Sequence, residues 1–439
     1  MEKALIIAAG KGERIKCISK EKPKPLIKLL GLTLIERVIL SLKEAGISEV
    51  FIVVGYKKEK IVEFFGDGRR YGLRINYIEN DEFQRGNGIS LLKAKNYLKE
   101  KFLLLMSDHI FDEEAIKRVS NFELGDFEIG IVVDRNYPNF IDLGDATKVL
   151  VKDGMVVDIG KKIENYNGID CGIFIVRDTA FKYFEEALSK GEDTLSGMMK
   201  EIAIRNKLKA IDFEGKFWID IDTEKELKTA KKLLLKNLFK ETDGPISRYI
   251  NRPISTKITE LLVNLPISPN LMTVISFIIS ILSSILFLKG NKFYFLIAGI
   301  IAQFSSIVDG CDGEIARLKF KKTDFGAWLD SVLDRYSDFF LILGITIGYS
   351  IYKGEFSIST FLIGYFAMFG SFMNSYTAVR LDQIIEKKGI KGIRFGRDIR
   401  IFLIMIGSIL NKLKLLLLIL AIITNFISVK RIFFLKKEI

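Results

Sequence analysis

Cysteine is scarce in this chain, three residues among 439. Cys17, Cys171 and Cys311 show neither CxxC pairing nor zinc-ligand spacing, which excludes a disulfide framework and a thiolate metal centre and leaves reduced, unpaired thiols. No internal repeat and no low-complexity tract is present. The opening "MEKALIIAAGKGER" is apolar for too short a stretch to be a secretory leader and lacks a small-residue cleavage pattern, so the front half is expected to stay in the cytosol.

What the chain does have is unevenly spread. From Met1 to about Lys240 charged and apolar residues alternate as in a soluble domain, whereas from Leu271 onward runs such as "LMTVISFIISILSSILFL" appear. At ~1.5 Å rise per residue that run makes a helix of about 27 Å, close to the roughly 30 Å of a hydrocarbon core. The expected domains are therefore 1–240, cytosolic, and 241–439, membrane-embedded. Lysine and arginine number 66 against 54 acidic residues, a net +12. With spans in the same chain, that excess fits cytoplasmic helix ends at a lipid surface, and no nucleic-acid partner is expected.

In the front half "KALIIAAG", "VFIVVG", "RINYIEN" and "KFLLLMSDH" read as strands, while "LTLIERVILSLKEAG" and "GISLLKAKNYLKEK" have helical spacing. The alternation predicts a mostly parallel sheet covered by helices, an α/β Rossmann-like fold. In the back half, 246–265 reads as an amphipathic surface helix with Ile250, Ile254, Ile258 and Leu262 spaced by four, broken at Pro266 and Pro269. Six transmembrane helices are expected after it, at about 271–288, 293–316, 324–352, 357–384, 396–411 and 413–434. "RLKFKK", "EKKGIKGIRFGR" and the tail "KRIFFLKK" put positive charge on the side of the N-terminal domain, as the positive-inside rule requires for six spans.

Within that apolar half, "VDGCDGEIARLKFKKTDFGAWLDSVLDR" is anomalous. One charged residue at a helix centre costs about 2.5–3.5 kcal/mol, so Asp309, Asp312, Asp330 and Asp334 would cost roughly 10–14 kcal/mol without counter-charge. The first two are i and i+3 on one span and the last two i and i+4 on the next, so each pair shares a helix face. Two such faces set together build an oxygen-rich cage for hard divalent cations. Gly310, Gly313, Ala316 and Gly326 are small enough to let the helices approach.

Asp309, Asp312, Gly313, Ala316, Arg317, Gly326, Asp330 and Asp334 match the signature of the CDP-alcohol phosphotransferases, and the resemblance covers about 241–439. It implies a six-helix bundle in which Asp309, Asp312 and Asp330 ligate Mg2+ or Mn2+. Asp334 would lie near the metals and act as general base on the acceptor hydroxyl, while Gly313, Ala316 and Arg317 cradle a cytidine diphosphate. "SPNLMT" also resembles this family, with Asn270 helping to hold the nucleotide. A homodimer through the spans is implied as well. Arg248, Arg252, Arg380, Arg397 and Arg400 are candidates for an anion pocket beside the cage or for headgroup anchors.

At the front, Gly10 and Gly12 leave backbone N–H groups free to approach phosphate oxygens, and Arg14 and Lys24 offer cations to a triphosphate. A Rossmann fingerprint would want a third glycine near position 15, where Ile15 stands. Together with "KPKPL" the segment resembles the sugar-phosphate nucleotidyltransferase family over roughly residues 3–230. By that resemblance Gly10, Gly12 and Arg14 hold the nucleotide phosphates and Lys24 neutralises the attacking phosphate. "QRGNGIS" matches the base-recognition segment through Gln84, Gly86, Asn87 and Gly88. Asp108 and Asp220 would hold Mg2+ (or Mn2+), with Asp222 able to share the role. This chemistry needs no imidazole, so the single histidine, His109, is read as structural.

The joint "DGPISRYINRPIS" resembles bifunctional enzymes that link inositol-1-phosphate cytidylyltransferase to di-myo-inositol phosphate phosphate synthase. The expected substrates are then CTP and inositol 1-phosphate, with CDP-inositol passing between the two steps, at the cell membrane with both sites cytoplasmic. Low Gln and Cys with abundant Lys, Glu and Ile suit a thermophile that makes such a compatible solute. Two other readings stay open: a phospholipid synthase using a CDP-linked lipid, and a membrane cation transporter with a nucleotide-binding regulatory domain.

Overall fold

The structure is a computed structural model that describes residues 1–15, 22–240, 242–385 and 395–438, so Cys17 and most of the "EKKGIKGIRFGR" loop lie outside the described residues. The chain divides into two compact units, Met1–Leu234 and Leu235–Ile439.

In the first unit the strands are β1 (Lys3–Ala8), the short hairpin β2 (Lys28–Leu29) and β3 (Leu32–Thr33), β4 (Glu49–Val54), β5 (Arg74–Glu79), β6 (Phe102–Met106), β7 (His109–Phe111), β8 (Ile129–Asp134), β9 (Lys148–Lys152), β10 (Met155–Gly160), β11 (Gly168–Val176), β12 (Leu208–Asp212) and β13 (Trp218–Asp220). Helices α1 (Leu34–Glu44), α2 (Lys58–Phe65), α3 (Gly88–Lys93), α4 (Glu113–Ser120), α5 (Phe181–Ser189), α6 (Leu195–Ala203) and α7 (Glu224–Lys236) connect them. Among the described residues nine strands form one sheet in the order β5-β4-β1-β6-β11-β8-β12-β10-β9.

The four strands legible in the sequence form its parallel edge, β5-β4-β1-β6. β1 is buried on both faces, Leu5 and Ile7 on one side and Ala4, Ile6 and Ala8 on the other, as a central parallel strand must be. In the remainder β12 runs parallel to β8, but the other pairings depart from the mostly parallel expectation. β11 runs antiparallel to both β6 and β8, and β9 and β10 form a hairpin. Its turn is Asp153-Gly154, both at positive φ (49° and 73°), the backbone that suits a two-residue hairpin.

α1 begins where Thr33 accepts from the Glu36 N–H at 3.2 Å and Glu36 accepts from the Thr33 N–H at 2.7 Å, a reciprocal cap. α3 is shorter than its sequence spacing predicts. After Lys93 the chain tightens into i→i+3 bonds, Ala94 N–H to Leu91 and Lys95 N–H to Leu92, which bring Ala94 and Leu98 into the core.

The second unit opens with a wide helical turn, Ser247–Asn251, that runs into α8 (Arg252–Leu262). Among the described residues six helices follow: α9 (Pro269–Phe287), α10 (Lys292–Leu318), α11 (Asp324–Lys353), α12 (Ile358–Ile385), α13 (Arg397–Ile409) and α14 (Leu413–Glu438). Among the described residues, α9, α10 and 413–434 of α14 are long and apolar enough to cross a membrane. α13 has only 13 residues.

Packing in this unit inverts the water-soluble pattern. α9 turns Ser276, Ser280, Ser283 and Ser284 inward and Ile278, Leu282 and Ile285 outward. Small inward residues let backbones meet where hydrophobic exclusion from water cannot drive association. At Gly348 of α11 an added Cβ would lie 2.1 Å from the Phe287 carbonyl oxygen, so only glycine permits this approach. The outward apolar surface associates this unit with a membrane.

Candidate active sites

The front site forms where the loop after β1, the ends of β6 and β7, and the β13–α7 turn converge. Lys24 is buried, and its Nζ donates to Asp108 Oδ2 at 2.5 Å and Asp222 Oδ1 at 2.7 Å, with Asp220 Oδ1 4.0 Å away. Gly12 is why it can lie there. At φ +59° its missing Cβ would sit 2.6 Å from Lys24 Cβ. Arg14 donates to Asp145 at 2.6 Å and to Asp222 at 2.7 Å. Asp222 is fixed in turn by Glu226, which accepts from the Asp222 and Thr223 N–H groups at 2.6 and 2.7 Å at the start of α7.

Charge is unevenly shared among these groups. Burial lowers the Lys24 ammonium, but Asp108, Asp220 and Asp222 outweigh it and hold the pKa well above the ordinary lysine value. Burial would raise Asp108, yet Lys24 and His109 hold it far below the carboxylate range. Asp220 is pushed up to about 7, by burial first and by the Asp108 charge. Burial lowers His109, but Asp220 and Asp108 carry it up to about 9.

A cavity of ≈ 490 Å³ opens here, lined among others by Arg14, Asn87, Asp108, His109, Asp220 and Asp222. Of the base-recognition candidates, Asn87 lines it and its Oδ1 accepts from the Leu195 N–H at 2.8 Å. Gly86 and Gly88 seat on Asp193, where a Cβ on Gly86 would be 2.3 Å from the Asp193 carbonyl oxygen. Gln84 is exposed, and neither it nor Gly10 lines the cavity.

In the membrane unit, Asp309 of α10 and Asp330 and Asp334 of α11 each bring one carboxylate oxygen within 4.8 Å of the others. Asp312 stands apart from that group. Its carboxylate accepts from Thr273 Oγ1 at 2.6 Å and from the Gly313 N–H. Asp309 accepts from Ser276 at 3.0 Å. The counter-charge that the insertion cost demands is Arg397, which reaches Asp334 at 2.5 Å, Asp309 at 3.1 Å and Asp338 at 3.2 Å.

The five candidate arginines are only partly gathered. Arg397 and Arg400 share Asp338, the latter at 2.7 Å. Arg252 is tied to Asp243 at 3.0 Å and to Glu314 at 2.8 Å. Arg252 and Arg397 both line a cavity of ≈ 150 Å³ with Ser247, Asn251, Asp309 and Asp334. Arg248 and Arg380 are exposed outside it, the latter over the Tyr376 ring. Gly326 is close to Asn270, whose Oδ1 a Cβ would meet at 3.1 Å. Gly313 gives Arg317 its room, a Cβ there lying 3.1 Å from its guanidinium, and Arg317 Nε is buried with no hydrogen-bond partner among the described residues. Ala316 precedes it on the same helix.

Asp338 and Glu314 escaped the sequence reading. Glu314 is fully buried and accepts from Arg252, Ser255 and Thr259 at 2.8, 2.5 and 2.6 Å, which pins α8 to α10 through the polar face of α8. Of the apolar stripe on that helix, Ile254 is exposed, while Ile258 and Leu262 are partly buried against the cluster of Met272, Val308, Cys311 and Ile315. Asp338 had a signal, since Asp330, Asp334 and Asp338 recur every four residues.

Residues 3–237 match the family model described as nucleotidyl transferase, and residues 266–436 match the one described as CDP-alcohol phosphatidyltransferase. A "Bifunctional IPC transferase and DIPP synthase" of Aquifex aeolicus is 36% identical, with 97% of this chain and 96% of that protein covered. The protein of the same name from Thermococcus kodakarensis is 35% identical over 100% of this chain and 98% of its own. A solved inositol-1-phosphate CTP transferase from T. maritima superposes with TM-score 0.47 at 28% identity, covering 53% of this chain and 94% of that one.

Proposed function

We propose, from the premise that this chain belongs to the family of bifunctional IPC transferase and DIPP synthase proteins, that its two halves catalyse successive steps. In the first, a phosphate oxygen of inositol 1-phosphate attacks the α phosphorus of CTP, and CDP-inositol and pyrophosphate result. In the second, a hydroxyl of another inositol 1-phosphate attacks the inositol-bearing phosphorus of CDP-inositol, and CMP leaves with the phosphodiester as product. The observation that carries this reading is the presence, in one chain, of two separate carboxylate clusters, each with its own basic partner and cavity.

At the front, Lys24 neutralises the incoming phosphate, Arg14 and the Gly10–Gly12 backbone hold the triphosphate, and the 84–88 segment meets the base. Asp108 and Asp220 would hold a divalent cation; the orphaned, buried Oδ1 of Asp220 suits one. In the membrane unit Asp309, Asp330 and Asp334, joined by Asp312, would do the same, and Gly313, Ala316, Arg317 and Asn270 cradle the cytidine diphosphate. A divalent ion in either place supplies charge neutralisation at the scissile phosphoanhydride. Asp334 takes the proton of the attacking hydroxyl. Arg252 and Arg397 face the phosphate of the acceptor. The six helices from Pro269 to Glu438 span the membrane with both sites on the cytoplasmic side, and the chain pairs as a homodimer through them.

Purified full-length protein given CTP, inositol 1-phosphate and Mg2+, with no lipid added, should release pyrophosphate first and CMP second. Absence of CDP-inositol overturns this function. CMP release from CDP-diacylglycerol would instead establish a lipid donor.

A further inference from the structure

The chain's only histidine has more built around it than the proposed front chemistry uses. His109 on β7 pairs with Asp220 on β13. Its Nδ1 lies 3.0 Å from Asp108 Oδ1 and 3.6 Å from Asp220 Oδ1. The ring is held in place from several sides. It stacks with Phe111 and Trp218 at centroid separations of 5.9 and 6.3 Å, and Trp218 is itself pinned by its Nε1 hydrogen bond to Asp134 at 2.8 Å. Gly172, at φ +75°, forms another wall, and a Cβ there would stand 2.7 Å from His109 Cδ2 and Nε2. Glycine at that position gives the ring space to keep Nδ1 between the two carboxylates.

Beyond the Asp108 Oδ1 with which Nδ1 makes its 3.0 Å hydrogen bond, the next oxygen is the buried Asp220 Oδ1, which has no hydrogen-bond partner among the described residues. Lys24 does not serve it, since its Nζ sits 2.5 Å from the other side of Asp108 and 4.0 Å from this atom. One nitrogen and two carboxylate oxygens, from three residues, thus come within 4.8 Å of one another.

We propose that His109 Nδ1 is a third, nitrogen ligand of the cation held by Asp108 and Asp220, so that the front site selects Mn2+ or another first-row transition ion over Mg2+. The proposal rests on the reading of Asp108 and Asp220 as a metal pair. Mg2+ is a hard ion that binds oxygen and sheds water reluctantly, so an imidazole adds little to its affinity. First-row transition ions gain from nitrogen, increasingly along the series from Mn2+. The membrane cluster offers oxygen alone and should not share the preference.

The sole histidine makes the test unambiguous. Full-length protein carrying a histidine-free affinity tag is produced with 15N-labelled histidine, loaded with Mn2+ in the presence of CTP, and examined by pulsed EPR for electron spin-echo modulation. Any 15N coupling can come only from His109, and Mn2+ in the membrane unit is silent in this channel. A 15N coupling that disappears in Asp220→Asn supports the assignment. In His109→Gln the ratio of the half-saturating Mn2+ to Mg2+ concentrations for pyrophosphate release should rise about tenfold. Bound Mn2+ that is lost in Asp220→Asn yet shows no 15N coupling in wild type overturns His109 as a ligand and leaves the aspartate pair standing. Mn2+ binding insensitive to both Asp108→Asn and Asp220→Asn overturns the underlying reading as well. Should His109→Gln fail to fold, the wild-type spectrum decides alone.

Discussion

At the front site three aspartates surround one buried lysine, whereas in the membrane unit one arginine is spread over three aspartates. Lysine presents a compact ammonium that can turn its donors from carboxylates to a phosphate, which suits a cavity that must admit a triphosphate. Arginine presents a rigid planar fork. Arg397 of α13 uses it to join Asp309 of α10 to Asp334 and Asp338 of α11, so the counter-charge also ties three helices together. Between membrane helices, where lipid is as apolar as the side chains, such polar bridges carry association that burial supplies in the front sheet. The same phosphorus chemistry is therefore set in two different electrostatic frames.

That contrast can be broken at either end. The largest effect is expected for Asp334→Asn: loss of the proposed general base should cut CMP release from supplied CDP-inositol by about 10²–10⁴-fold, while pyrophosphate release from CTP continues. Parallel loss of both activities would mean that the halves are not independent. Lys24→Met should reduce pyrophosphate release by about 10²–10³-fold and leave CMP release from supplied CDP-inositol intact.

Asp338→Asn sharpens the comparison by testing stability. Arg400 and Arg397 would lose a buried carboxylate, a change of about 3–5 kcal/mol. The melting temperature in detergent should fall accordingly, and an unchanged melting curve would show that the arginines are solvated. The smallest effect belongs to the front fold. Thr33→Ala removes one half of the reciprocal cap of α1 and should cost about 1 kcal/mol, read as a shift in the denaturant midpoint of the front unit.

Much of this molecule could be read from residue order alone, for reasons that differ between its halves. β1, β4 and β6 announce themselves because parallel strands buried on both faces are near-continuous apolar runs, whereas the edge strand β5 buries only Ile75 and Ile78 between exposed Arg74 and Glu79. β9 and β10 carry a weaker alternating pattern, and only the Asp153-Gly154 turn betrays the hairpin. In the membrane unit the aspartates were legible because charge is so costly among apolar neighbours. Their partners were less so: helical spacing shows which residues share a face but not which face of another helix meets it. For that reason Asp338 and Glu314 emerged only when Arg397, Arg400 and Arg252 were seen beside them. α8 divides its faces in a related way, with Ser255 and Thr259 buried on Glu314, Ile258 and Leu262 partly buried against the Met272 and Ile315 cluster, and Ile254 exposed. His109 looked structural because the expected reaction has no use for a base there, and its sequence neighbours do not reveal Asp220 across the strand pair.

Two sites working in series on one chain should be separable by a single substitution. Phosphorus NMR of the Asp330→Asn variant incubated with CTP, inositol 1-phosphate and a divalent cation tests it most directly. CDP-inositol and pyrophosphate should accumulate in equal amounts while CMP and the phosphodiester stay at background. Unabated formation of CMP and phosphodiester by this variant, or failure to form CDP-inositol while the variant remains folded, would contradict it.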